Sequence, residues 1–346
     1  MIVFDCERMK YPNTGLFVYC DNVAAHLARM QADAGDDMCF YTPSVLRGRW
    51  GDSVSYRNVS AFDKIFLHCS KNVKIWHSAH QQTSYMPSSD RVRIVLTVHD
   101  LNFLYEKEDY KQKRYLKALQ TRIDRADRIV AISQSTKRDI LTHLDVRGKD
   151  ISVIYNGLSR YSGPVSEPVH KPSGEFLYSV GTVLPKKNFH VLPSLLAGNG
   201  YTLVISGNIS SYADRVIQEA EKYGVRDRVI LTGPVSEGEK LWYMKNCSAF
   251  MFPSLAEGFG LPVIEAMYCG KPVFLSDRTS LPEIGGSHAF YLDHDFNPEK
   301  MRLEFAAGMD AFAKGEKDIQ AMIGHADSFS WENTAKEYIR IYKELL

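Results

Sequence analysis

Two glutamates eight positions apart, Glu257 and Glu265, bracket the run Glu257-Gly258-Phe259-Gly260-Leu261-Pro262-Val263-Ile264-Glu265. Phe250-Met251-Phe252 before it reads as the end of a buried strand. Gly258 and Gly260 permit a tight turn with close backbone approach, and Pro262 suits a first helical turn, where no N–H is needed. The pattern predicts a helix from about Leu261 to Cys269, stopped by Gly270. A helix that begins there presents unpaired N–H groups and a positive dipole end, a fit for phosphate. The two carboxylates are acceptors only, a fit for hydroxyl groups rather than for phosphate. Phosphate beside a polyol describes a sugar nucleotide.

Elements of one kind must carry these residues. Short β-rich runs alternate with helical patterns, which predicts parallel sheets flanked by helices. Strands are expected at Ile2–Phe4, Met38–Tyr41, Lys74–Trp76, Arg93–Val98, Arg128–Ala131 and Ser152–Tyr155. A second series follows at Phe176–Val180, Thr202–Ser206, Arg228–Leu231, Ala249–Phe252 and Pro272–Leu275. Helical patterns include Phe17–Ala32, Tyr110–Ile123, Ser135–Leu144, Phe189–Leu196, Ser211–Tyr223 and Glu237–Asn246. The fold class is therefore α/β, with two Rossmann-like domains. The stretch from Asn156 to Gly174, rich in Pro and Gly, reads as a linker. A last helix over Trp331–Leu346 has Ser330 as its cap and an apolar face of Trp331, Ala335, Tyr338, Ile339 and Tyr342.

Composition narrows the function classes. The 346 residues suffice for two packed domains. Lys+Arg 42 against Asp+Glu 41 gives a formal charge of +1, which argues against bulk nucleic-acid binding. Six cysteines (Cys6, Cys20, Cys39, Cys69, Cys247, Cys269) include no Cys-x2-Cys pair, so neither a disulfide scaffold nor a zinc site of usual spacing is expected. Met1-Ile-Val-Phe4 runs directly into Asp5 and Glu7, unlike a secretory leader. No run approaches the roughly 20 apolar residues that span a bilayer. The expectation is a cytoplasmic protein.

The run Pro253-Ser254, Glu257-Gly-Phe-Gly-Leu-Pro, Glu265-Ala-Met, Gly270-x-Pro-Val closely resembles the Glu-x7-Glu signature of the retaining, family 4 type glycosyltransferases. That resemblance implies the GT-B architecture, two Rossmann-like domains facing a central cleft. It divides the chain into 1–156 plus a returning C-terminal helix 331–346 for the acceptor, a linker 157–173, and 174–330 for the nucleotide sugar. Closure about that linker would be expected to assemble the site. By resemblance, Glu257 contacts donor-sugar hydroxyls and Glu265 the nucleotide ribose, while loop amides around Gly258, Phe259, Gly260 and Leu261 meet sugar and diphosphate. Ser179-Val-Gly181-Thr182-Val-Leu-Pro185-Lys186-Lys187-Asn188 resembles the family's diphosphate-binding turn. Lys187 falls on the cation that neutralises the leaving group. Thr182 stands where many members carry Arg. Gly181, Lys186 and Gly207 complete the donor set. Thr97-Val-His99-Asp100-Leu101 resembles the family's Thr-Val/Ile-His-Asp-Leu, whose His lies against the donor sugar.

Acceptor-side expectations rest on two further segments. Asn13, Thr14 and Gly15 occupy the place of a small loop near diphosphate and acceptor, although a plain turn explains them equally well. Trp76, His77, His80 and Tyr85 combine aromatic faces with hydrogen-bonding groups, as carbohydrate sites do, while Trp76 also suits a core position. Ser133 and Ser135 fit ligand contact or N-capping. The basic helix Lys111–Arg128 reads as a solvated face, with peripheral contact to the inner membrane leaflet as the alternative. Asp293-His294-Asp295 reads as a loop, so no metal and no cofactor is expected.

The resemblance thus implies transfer of a hexose from a nucleotide-diphosphate sugar to a saccharide or lipid-linked saccharide in bacterial polysaccharide biosynthesis. The Gly-Thr-x-x-Pro-x-Lys-Asn variant with Thr-Val-His-Asp-Leu resembles bacterial mannosyl- and rhamnosyltransferases, which points to GDP-mannose. A non-catalytic nucleotide-sugar-binding partner subunit is the alternative, motivated by Thr182. The absence of a Gly-x-Gly-x2-Gly after any strand argues against a nicotinamide dehydrogenase.

Overall fold

The computed structural model describes residues 1–12, 14–65 and 67–346. The chain forms two compact units, Met1–Gly157 together with Ser330–Leu346, and Leu158–Phe329. In the first, β1 (Ile2–Asp5), α1 (Gly15–Arg29), β2 (Met38–Thr42), β3 (Ser55–Asn58), β4 (Ile75–Ser78) and β5 (Arg93–Val98) are followed by α2 (Phe103–Glu106), α3 (Asp109–Arg125), β6 (Arg128–Ala131), α4 (Gln134–His143) and β7 (Ile151–Val153). Its seven-stranded sheet has the order β3-β2-β1-β4-β5-β6-β7. Every pairing in it is parallel. Parallel sheets are covered on both faces, so their strands are continuous apolar runs rather than alternating ones. Ile2–Asp5, Met38–Thr42 and Ile75–Ser78 are accordingly buried along their whole length.

The second unit contains β8 (Phe176–Val180), β9 (Thr202–Ser206), α5 (Ala213–Lys222), β10 (Val229–Gly233), α6 (Glu237–Asn246), β11 (Ala249–Phe252), α7 (Leu261–Tyr268) and β12 (Val273–Leu275). It continues through α8 (Leu281–Gly285), β13 (Phe290–Tyr291), α9 (Pro298–Ala313) and α10 (Ile319–Ser328). Its six-stranded parallel sheet has the order β10-β9-β8-β11-β12-β13. Phe189–Leu196 winds as 3-10 turns rather than as the expected α-helix. Pro193 inside it lacks the N–H that an α-helical ladder requires.

The closing helix α11 (Trp331–Leu345) belongs to the first unit and packs against α1. Ser330 caps it by accepting the Asn333 N–H. Its apolar stripe buries Trp331, Ala335, Tyr338, Ile339 and Tyr342. Each large side chain so buried contributes roughly 1.5–3 kcal/mol. The two tyrosine hydroxyls also need partners, and the first unit supplies them. Tyr342 lies 2.6 Å from Nδ1 of His77, and Tyr338 lies 2.6 Å from the Tyr19 hydroxyl and 3.0 Å from Thr97 Oγ1.

Candidate functional site

In the second unit the candidate residues gather where strands β8, β9 and β11 end, the edge at which open α/β sheets place ligands. Gly207 follows β9 with φ 138°, and a Cβ there would stand 2.2 Å from the Gly181 carbonyl oxygen. Backbone cannot move aside as a side chain can, so this close passage of two loops admits only glycine. The loops are also hydrogen-bonded, Gly181 N–H to Ser206 O and Val183 N–H to Asn208 O, both at 2.8 Å. Half-buried Thr182 lies within this passage. The backbone of Lys186 accepts the Leu255 N–H at 2.7 Å, which ties the turn after β8 to the loop after β11.

Across that tie, Lys187 Nζ meets Glu257 Oε1 at 2.5 Å. The two side chains retain 14% and 13% exposure, so the pair is shielded yet reachable. The ammonium also lies 4.8 Å from the centre of the Phe252 ring, a cation–π distance. Glu257 itself is braced from behind. Its N–H donates to Thr279 Oγ1 at 3.0 Å, and Ser280 Oγ donates to the carbonyls of Glu257 and Phe259 at 3.0 Å each. Phe259 buries its ring against Phe329, which leaves its backbone as the part a ligand can meet. Gly258 is buried beside it. Gly260 then turns at φ 106°, and α7 starts at Leu261 without a side-chain cap. Its first amides are therefore not satisfied by a capping side chain.

One turn into α7, Glu265 lies 3.2 Å from Lys240 Nζ, which also holds Glu237 at 2.7 Å. Burial pushes the Glu265 carboxyl up, and Lys240 acts against that rise. Burial opposes the Lys240 ammonium, but the carboxylates of Glu265 and Glu237 outweigh it and hold its pKa above the ordinary value. Lys240 escaped the sequence reading, as did Thr279 and Ser280. Their partners in the Glu257–Glu265 segment lie 21 to 25 residues away, and no local spacing signals those contacts.

In the first unit, His99 follows β5 and is 7% exposed. Its Nε2 donates to the Ala79 carbonyl at 2.8 Å, which fixes the tautomer because a carbonyl only accepts. Burial pulls the pKa to about 4, so the ring is neutral and Nδ1 keeps a lone pair. Such a nitrogen accepts a hydrogen bond from a hydroxyl. His99 N–H donates to Gln81 Oε1 at 3.0 Å, and Tyr19 stands edge-on at 4.5 Å. Thr14 caps α1 by accepting the Phe17 N–H at 3.2 Å. A Cβ on Gly15 would meet nothing within 4 Å. Asn13 lies outside the described residues.

Three acceptor-side expectations need correction. Trp76, His77 and Tyr85 are 0%, 0% and 3% exposed. Strand β4 runs between β1 and β5 with both faces covered, so Trp76 packs on Tyr41 and Tyr85 on the same ring. His77 is spent on structure: Nδ1 meets Tyr342 and Nε2 meets Thr97 Oγ1 at 2.8 Å. Burial lowers its pKa to about 3, so it is a neutral strut for the closing helix. His80 alone of this group is half-buried rather than buried. Ser133 caps α4, accepting the Thr136 N–H at 3.1 Å. In the Asp293-His294-Asp295 segment, Asp293 accepts the N–H groups of Asp295 and Asn297, and His294 pairs with Asp277. On the basic helix, Arg125 donates to the carbonyls of Ser89 and Val92. No helix among the described residues is long and apolar enough to cross a membrane.

Residues 166–323 match the family model for glycosyl transferases group 1, and residues 15–160 match that for glycosyltransferase family 4. The serotype-specific mannosyltransferase WbdA of Escherichia coli is 32% identical over 280 residues, covering 73% of this chain and 34% of that protein. O-antigen chain mannosyltransferase B of Escherichia coli is 25% identical over 384 residues, covering 99% of this chain and 100% of the relative. The chain spans about one third of the length of the WbdA relatives. Among solved structures, a sucrose-phosphate synthase from Thermosynechococcus elongatus superposes with a TM-score of 0.76 at 17% identity, over 99% of this chain and 98% of that one. At that identity the likeness speaks for the fold.

Proposed function

The chain belongs to the family 4 type glycosyltransferases with the GT-B fold, and from that premise we propose that it transfers a hexose from a nucleotide-diphosphate sugar to a saccharide acceptor in bacterial polysaccharide biosynthesis. Mannose from GDP-mannose is the favoured donor, supported by the mannosyltransferase names of both relatives. The acceptor is a saccharide, free or lipid-linked. One observation carries the reading: Lys187 and Glu257 form a shielded, reachable ion pair beside the uncapped start of α7. A cation there meets the charge that develops on a leaving diphosphate, and a pre-placed cation is worth most when water is excluded.

The steps follow from the residues. The donor diphosphate takes Lys187 Nζ from Glu257, and the freed carboxylate accepts hydroxyls of the donor sugar. Glu265 accepts the ribose hydroxyls. Backbone amides from Gly258 to Leu261 and the turn Gly181–Lys186 receive the phosphates. The bond between the sugar C1 and the diphosphate oxygen breaks as the acceptor oxygen bonds to C1 on the same face. The acceptor proton passes to the departing diphosphate oxygen, so no enzyme nucleophile is needed and configuration is retained. His99 Nδ1 accepts a sugar hydroxyl and orients it.

Thermal shift against GDP, UDP, ADP and dTDP tests the donor. A nucleotide at 100 times its dissociation constant adds roughly 2.7 kcal/mol. Stabilisation by UDP alone would overturn the guanine assignment, and an inverted product anomer would overturn the same-face route. A second reading, a non-catalytic nucleotide-sugar-binding subunit, draws on Thr182 in the usual Arg place. Donor binding without nucleotide release over a broad acceptor panel would favour it.

A further inference from the structure

The loop after β4 gathers cationic groups that the proposed transfer does not use. Arg8, three residues past β1, reaches the Gln82 carbonyl from Nη2 at 3.5 Å. Arg122, on α3, donates from Nε to the adjacent Thr83 carbonyl at 2.9 Å. Its Nη1 donates to Ala118 O within the same helix at 2.7 Å. Two guanidinium groups therefore lean on neighbouring carbonyls of one loop. They act on each other as like charges: after burial, Arg8 is what lowers the Arg122 pKa.

One carboxylate, that of Glu7, balances them only in part, because it pairs with Arg8 and is shared with Lys10. Glu7 pairs with Lys10 through Oε1 and with Arg8 through Oε2, 3.5 Å from Arg8 Nε. The buried Nε of Arg8 has no hydrogen-bond partner. Arg122 has no ion pair among the described residues. Asp5 gives one oxygen to the Glu7 N–H at 2.9 Å and the other to the Thr83 hydroxyl at 3.0 Å. Burial raises its pKa to about 7, so at neutral pH it carries only part of a charge.

His80 adds a third donor. Its Nδ1 accepts the Gln82 N–H at 3.0 Å, so the neutral ring carries its proton on Nε2. Burial keeps the ring neutral, helped by His99, Arg8 and Arg122. Its ring lies 5.9 Å from that of His99. Two guanidinium forks and an imidazole N–H around one loop match the oxygens of a phosphate, which accept bidentate, charge-assisted bonds. A neutral sugar does not require two paired cations.

We propose that Arg8, Arg122 and the Nε2–H of His80 hold a phosphate or diphosphate group carried by the acceptor. The assignment rests on the glycosyltransferase reading above and narrows its acceptor to an anionic saccharide. The anion sits where β1 and β4 end, beside the histidine assigned to a sugar hydroxyl.

Calorimetric titration of the full chain with inorganic pyrophosphate tests this. Pyrophosphate also suits the donor side, so the titration is run on Lys187→Ala. That variant should still bind pyrophosphate, and adding Arg8→Gln and Arg122→Gln should weaken binding about tenfold or more for each arginine. Equal affinity with and without the arginines would overturn the site, as would no binding to Lys187→Ala. If the combined variant does not fold, each arginine substitution alone on the Lys187→Ala background carries the same test. Farnesyl diphosphate and mannose 1-phosphate then compete for the site. Displacement first by farnesyl diphosphate supports a lipid-linked acceptor, first by the sugar phosphate a soluble one, and by neither overturns the proposal. Thermal stabilisation by nucleotide should persist in Arg8→Gln/Arg122→Gln. Its absence in the unsubstituted protein would count against the glycosyltransferase reading, separately from the pyrophosphate result.

Discussion

The two units hold their candidate residues by opposite means. In the second, the side chains are placed by charge: Lys187 with Glu257, and Lys240 with Glu265 and Glu237. In the first, they are placed by neutral hydrogen bonds, with His99 on Ala79 O and His77 between Tyr342 and Thr97. An ion pair near the surface can be exchanged for a ligand of the same charge type at modest cost, since the ligand repeats the interaction that it breaks. A buried neutral network has no such substitute, and opening it leaves polar groups unsatisfied. Charge therefore suits residues that must change partner during a reaction. Neutral bonds suit residues that must stay where they are.

Removing the exchangeable cation is the largest break in this contrast. Lys187→Ala should fold and lower turnover by about 10²–10³-fold, as loss of one transition-state contact does. A coupled assay of nucleotide release reads it, and near-normal turnover would show that the pair is structural. His77→Phe attacks the other side. It removes the His77 partner of the Tyr342 hydroxyl and one of the two close partners of the Thr97 hydroxyl, at a cost of about 1–3 kcal/mol at pH 7 in urea unfolding. That cost should shrink by roughly 2 kcal/mol at pH 5. The native ring has a pKa of about 3 against an ordinary 6.5, so the unfolded wild-type chain binds a proton that the folded one excludes. The stability that His77 lends is complete above about pH 6.5 and fades as pH falls. A pH-independent cost would mean that the histidine is not held neutral.

A smaller effect is expected at Lys240. Lys240→Met leaves Glu265, which burial already pushes up, without its cation. Nucleotide affinity should fall about tenfold at pH 7, in keeping with the loss of one charge-assisted contact. It should partly return at pH 8, because a higher pH restores the carboxylate. Titration calorimetry at both values decides, and a pH-independent loss would argue that Lys240 itself touches the nucleotide. Gly15→Ala is the gentlest test. The site has room for a Cβ, so the protein should gain up to about 1 kcal/mol of stability from better helix propensity. If turnover is also unchanged, the first loop does not approach a ligand.

The sheet strands were legible because parallel strands are continuous apolar words, and Arg93–Val98, Phe176–Val180 and Ala249–Phe252 appear where expected. The edge strand Ser55–Asn58 was not, since Ser-Tyr-Arg-Asn is polar and half-exposed and carries no such run. The loop and helix around Glu257 and Glu265 were readable from glycine, proline and carboxylate spacing. Lys187, the cation on Glu257, was readable from its own turn, but Lys240, the cation on Glu265, was not, because an ion pair between α6 and α7 depends on packing rather than on proximity in sequence. Trp76 and His77 misled for the related reason that composition does not reveal which strand lies in the middle of a sheet.

The closing helix imposes an order on how the protein is made. His77, Thr97 and Tyr19 are synthesised early, but the tyrosines that complete their hydrogen bonds stand at 338 and 342. All of 158–329 leaves the ribosome before them, and that segment packs as a unit of its own. The first unit therefore cannot finish folding until that segment has been made, and until then His77 and Thr97 have each other but lack the Tyr342 and Tyr338 hydroxyls. Truncation before Ser330 would leave that half-finished surface exposed to aggregation or to chaperones, while 158–329 could remain intact.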